Sequence, residues 1–181
     1  MSSDESYLKD CLLQFKKLKT QADRAIVQTK DEDFFKSLDA EGNSIAIITK
    51  HLSGNMISRW SDFLISDGEK PSRNRDAEFE LESTDSRELV MSSWEDGWGK
   101  VFSAVSNLRP DDLGRTIMIR GEAHSVLEAI NRQLTHYAGH VGQIVLLAKH
   151  FAGSEWKTLS IPKGKSRDFD ALKDGNRYET S

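Results

Sequence analysis

Apolar residues recur at three- and four-residue spacing in four stretches of the chain, the period of a helix that turns one face to a core. The first stripe is Leu8, Leu12, Phe15, Leu18, Ala22 and Ile26. The second opens at Asn43 and Ser44, side chains suited to capping a helix start, and runs through Ile45, Ile48, Leu52, Met56, Trp60 and Phe63. A third begins after Asp85, with Glu88 where a capping box places its carboxylate. It carries Val90, Trp94, Val101, Val105 and Leu108, and stops before Pro110. The fourth is the cleanest: Leu127, Ile130, Leu134, Tyr137, Val141, Ile144 and Ala148 alternate steps of three and four.

The connections are polar and broken. "TKDEDFFKSLDAEGN" has room for one short extra turn, and "SDGEKPSRNRD" interrupts the pattern with Gly and Pro. "RTIMIRGEAHS" is β-branched and partly alternating, and reads as a short strand that pairs with "EFELE" at 78–82. Gly54, which costs about 1 kcal/mol inside a helix, marks a close helix–helix approach. From Gly153 onward the chain is charged and weakly patterned, a tail over 153–181 laid on the surface. Four long amphipathic helices with modest connections in 181 residues predict an all-α four-helix bundle, a single domain over 1–181 with a short β-hairpin in its connections.

Composition narrows the function classes. A net charge of -4 is the wrong sign for a nucleic-acid binder, whose footprint is a basic face. The start "MSSDESYLKD" is acidic and polar, unlike a secretory signal, and no apolar run approaches the roughly 20 residues of a membrane span. The single cysteine, Cys11, lies on an apolar helix face and reads as a small core residue; a lone thiol suits the reducing cytoplasm.

The chemistry is in the histidines. His136 and His140 stand four positions apart on the fourth helix, roughly 40° and 6 Å from each other, so both imidazoles can reach one ion. Tyr137 stands between them where a zinc protease would carry its glutamate, so that enzyme class is excluded. The pair lies on the flank of the apolar stripe, with Gln133 and Gln143 in the same polar strip, which is costly to bury unless bonded. His124 and His150 are roughly 15–18 Å along the axis from the nearer member of the pair, too far to join it. They read instead as a cap at the helix start and a positive ring at its end. His51, next to Ile48 and Leu52 on the second helix, is left as a third ligand or as an ordinary boundary histidine.

Three segments then resemble a known superfamily: "HLSGNMISRWSDFLISDGEKPSRNRDAEFE" at 51–80, "RTIMIRGEAHSVLEAINRQLTHYAGHVGQIVLLAKH" at 115–150 and "WKTLSIPKGKS" at 156–166. They are similar to the DinB/YfiT-like metal-binding proteins, from about Asn43 to Ser166. The resemblance implies an up-down-down-up four-helix bundle, often a homodimer, with a metal held by one histidine of the second helix and an HxxxH pair of the last. Those positions here are His51, His136 and His140. Three neutral imidazoles leave an open coordination position and suit zinc or nickel, with manganese or iron also compatible.

Characterised relatives use low-molecular-weight thiols such as bacillithiol, so the resemblance implies a cytoplasmic metal-dependent S-transferase acting on a small thiol and an electrophile. The alternative is a non-enzymatic bundle that a metal staples, or an interaction module. Asn55, one turn from His51, and Gln143 are candidates to support metal-bound groups. Lys70, Arg73 and Arg75 share one loop and either hold a carboxylate of an anionic thiol or form a solvated charged loop. Metal-assisted hydrolysis would require a carboxylate near the ion, and none stands beside His136 and His140 in that helix.

Overall fold

A computed structural model describes residues 2–168 and is mostly helical, with one two-stranded antiparallel sheet. Helix α1 spans Ser3–Ile26, a single turn α2 spans Asp31–Phe34, and α3 spans Ile45–Trp60. Helix α4 follows at Arg87–Ser106, the hairpin β1 (Thr116–Ile119) and β2 (Glu122–Ser125) comes next, and α5 covers Val126–Ala152. No helix among the described residues is long and apolar enough to cross a membrane.

The four predicted long helices are all present, each started by a serine whose hydroxyl accepts from a free backbone N–H of the first turn. On α4 the cap is Ser86, one residue later than the predicted box required. Glu88 therefore closes no box, and Asp85 accepts instead from Lys50 Nζ at 2.8 Å. On α5 the cap is Ser125 with Glu128 closing the box, so His124 does not cap this helix; it lies in β2. His150 does sit in the last turn.

Helix α3 packs on α4 and α5, and α1 packs on α5 and α4. Each long helix sends one aromatic residue to the centre. Phe15 of α1 meets Trp60 of α3, Trp98 of α4 and Tyr137 of α5 at ring separations of 5.6, 6.3 and 5.9 Å. The first two contacts are edge-to-face, which suits the ring quadrupoles, and all four rings are buried. Buried Cys11 belongs to this apolar interior, as its neighbours in sequence suggest. Leu127, counted in the predicted stripe of α5, is instead 38 % exposed.

Two local expectations are corrected. Residues 78–82 form no strand: Asp76–Phe79 is a short 3-10 turn, and β1 pairs with β2, Thr116 opposite Ser125 and Ile119 opposite Glu122. The two-residue turn explains the register. Arg120 and Gly121 both adopt left-handed backbone, φ 55° and 75°, which matches the twist of a tight hairpin. Gly54 is not a helix–helix contact either. A methyl group there would overlap the carboxylate of Glu78, whereas Gly97 of α4 is the close approach: a methyl group at Gly97 would stand 3.3 Å from the Ser53 backbone of α3.

The predicted surface tail begins as a turn at Gly153–Glu155. It is tied to the end of α1 by Lys157 N–H donating to Gln28 Oε1 at 2.7 Å, and its part beyond 168 lies outside the described residues.

Candidate metal centre

Helix α3 is buried almost all round, so its polar residues face other elements rather than water. His51, Asn55 and Arg59 form one column on it, and Arg132, His136 and His140 form another on α5; within each column the spacing is four residues. The two columns face each other. The result is a cluster of His51, His136 and His140, each offering one ring nitrogen, with all three nitrogens within 4.8 Å of one another.

His51 Nε2 and His136 Nε2 are 3.4 Å apart. Two nitrogens each about 2.0–2.1 Å from one tetrahedral zinc ion lie about 3.3–3.4 Å apart, so this pair already has the spacing such an ion requires. The rings are edge-to-face, with centroids 5.4 Å (His51 to His136), 5.0 Å (His51 to His140) and 4.8 Å (His136 to His140) apart. That leaves their nitrogens, rather than their faces, to converge.

The outer nitrogens are tied down. His51 Nδ1 is 2.9 Å from Glu78 Oε2, and because a carboxylate only accepts, the proton sits on Nδ1 and the Nε2 lone pair faces the cluster. His140 Nδ1 is 2.8 Å from Gln143 Oε1, which fixes its ring in the same sense. Glu78 is in turn gripped by Arg73, whose Nε and Nη2 donate to its two oxygens at 2.7 Å each. Burial pushes the Glu78 carboxyl upward, but the hydrogen bonds from His51 and Arg73 outweigh it and hold the group below the usual carboxylate range. The Phe79 ring packs against His51 at 4.6 Å, closing one side.

Burial, and then the neighbouring His140, His51 and arginines, lower His136 to about 4; burial and His51 also lower His140, against the hydrogen bond with Gln143. Both rings are therefore neutral and able to donate a lone pair at neutral pH.

The other sequence candidates divide. Gln143 does orient a histidine. Asn55 hydrogen-bonds to no histidine among the described residues; its Oδ1 accepts from Tyr137 Oη at 3.1 Å, and Tyr137 Oη in turn accepts from Trp60 Nε1 at 2.9 Å. Lys70 turns away, its Nζ donating to the Asp67 carbonyl at 2.7 Å. Arg73 is spent on Glu78 and Glu69, and Arg75 lies 5.0 Å over the Phe79 ring. Glu78 was missed because its segment was read as a strand. A carboxylate therefore does stand next to the cluster, although it reaches His51 from the connecting loop and not along α5.

Beside the histidines lies a cavity of about 200 Å³ lined by His51, His136, Asn55, Gln133 and five arginines: 59, 73, 75, 120 and 132. Arg59 and Arg132, which were not among the sequence candidates, extend the two histidine columns, and that four-residue spacing is the signal in the sequence that could have found them.

A family model described as "Protein of unknown function (DUF1572)" matches residues 2–165. No curated protein and no solved structure matches the chain.

Proposed function

The chain belongs to the family of proteins of unknown function DUF1572, and we propose that it works as a divalent-metal-dependent thiol S-transferase. In this reading it is a single-domain, up-down-down-up four-helix bundle of the DinB/YfiT-like kind, cytoplasmic and homodimeric. What carries the reading is the cluster: three imidazole nitrogens from two helices lie within 4.8 Å of one another, two of them 3.4 Å apart, and the cavity opens beside them.

His51, His136 and His140 hold the ion, zinc or nickel before manganese or iron, as three nitrogen donors favour. When bound there, the ion supplies the Lewis acidity that keeps a small thiol, such as bacillithiol, as its thiolate at neutral pH. The protein's own part is positional. Glu78 and Gln143 fix the tautomers and ring angles of His51 and His140, Arg73 holds Glu78 in place, and Phe79 shields one face of the site. Cys11, buried in the core, has no role in this chemistry.

A second reading, a metal that only staples the helices, has one observation in its favour: the ligands do bridge α3 and α5. Metal analysis of the untagged protein, wild type against His140→Ala, tests the site itself, with loss of the ion expected in the variant. Calorimetric titration of the zinc-loaded protein with bacillithiol separates the readings. The transferase binds the thiol and the metal-stripped protein does not; absence of binding to the loaded protein rejects the transferase.

A further inference from the structure

The arginine cavity contains more positive charge than the fold needs. Arg59 is only 5 % exposed, and its Nε and Nη1 have no hydrogen-bond partner. Its one ion pair among the described residues is Nη2 with Glu69 at 3.0 Å, and Glu69 is shared with Arg73 and Arg120. Arg73 is otherwise taken by Glu78. Five guanidiniums thus face one small space with two carboxylates, Glu69 and Glu78, between them, in a chain whose overall charge is -4. A buried donor left unmade costs about 1–3 kcal/mol, more when charged, so such an arrangement persists where a ligand completes it.

Gln133, buried on α5, lines the same cavity. Packing and pinning keep the cavity in shape. Gly68 closes on Arg59, where a methyl group would come within 3.2 Å of the guanidinium, and Asp67 accepts the backbone N–H groups of Arg120 and Gly121 at 2.9 and 2.8 Å. The hairpin is thereby pinned against the α3–α4 connection, with Arg120 at the cavity wall.

We propose that this cavity is a subsite for an oxyanion, a carboxylate or phosphate group borne by the molecule the centre acts on, with Arg59 and Arg132 as its principal donors. Guanidinium forks match the oxygens of either group, and Arg59 has an Nε and an Nη free to donate. Arg132 has no carboxylate partner among the described residues and stands one turn from His136, so the anion lies next to the metal ligands. Arg75 and Arg120 add charge at the wall. That the oxyanion belongs to a substrate of a metal centre rests on the function proposed above; the anion site itself does not.

The test is calorimetric titration of the full chain, stripped of metal by chelation and desalted, at low ionic strength. Inorganic phosphate is used in one arm and acetate in the other. One site per chain is expected, and the tighter arm identifies the group as phosphoryl or carboxyl. Arg132→Gln, at an exposed position, folds as wild type by its melting curve and weakens the tighter anion at least tenfold; Arg59→Lys does the same if it folds. Failure of both anions to bind overturns the proposal, as does wild-type affinity in Arg132→Gln. Zinc uptake measured on the same samples keeps the two ideas apart. A chain that binds the anion but no zinc loses the metal reading and keeps this one, and a chain that binds zinc but neither anion does the reverse.

Discussion

His51 shows how much of the site depends on one contact. Its ring is held through Nδ1 by Glu78, itself held by Arg73, and all three side chains are less than a tenth exposed. Glu78→Gln keeps an acceptor for the ring but removes the negative charge beside it. Zinc affinity is expected to drop about 10–100-fold in a competition titration with a chelating dye. At the same scale, the lowered His136 gives the metal-stripped protein a pH dependence of definite sign. Unfolded, the imidazole takes a proton near 6.5; folded, only near 4. Between those values the unfolded chain binds more protons, so stability is complete above about 6.5 and is lost as pH falls toward 4. Urea midpoints of the stripped protein should be flat from pH 8 to 7 and fall between 6.5 and 4, with a smaller fall in His136→Gln.

Among the elements, two glycines separate packing from chemistry. Gly97 lets α4 approach α3, with the Met56 Cβ 3.2 Å and the Ser53 backbone 3.3 Å from where a methyl would stand. Gly97→Ala must push two packed helices apart and is expected to cost about 1–3 kcal/mol in denaturant unfolding. Gly54 faces the far end of Glu78, which can swing aside more readily than a backbone can move. Gly54→Ala also gains about 1 kcal/mol of helix propensity. Its stability should change little while its zinc affinity falls, because the displaced carboxylate no longer holds His51. Equal losses in both variants, read by unfolding and by zinc titration, would show that Gly54 is a packing position after all.

For the molecule as a whole, the fold and the site draw on different contacts. Phe15, Trp60, Trp98 and Tyr137 tie the four long helices together with no help from the histidines. Further bonds link helices directly, as Trp94 Nε1 to Asp23 at 2.8 Å and Tyr7 Oη to Asn131 at 2.8 Å do. The metal-stripped protein is therefore expected to keep its helical circular dichroism and unfold cooperatively. Free zinc at a hundred times its dissociation constant should add about 2.7 kcal/mol. Collapse of the helical signal on chelation would favour the staple over the enzyme.

The helices and the ligands of α5 were legible in the chain because both depend on local periodicity. A 3.6-residue repeat of apolar side chains fixes which face turns inward, and HxxxH needs only one helix to bring its rings together. Contacts between segments far apart in sequence were not legible. Glu78 reaches His51 from a loop 27 residues on, and no local pattern records that approach. Residues 78–82 alternate as a strand would, yet the hairpin closed on itself, because Arg120 and Gly121 make the shorter turn. The order of apolar and polar residues by itself determined the helices and one half of the centre. Only the tertiary structure decided the partner of His51 and the gathering of five arginines, since each depends on segments that meet only after the helices have packed.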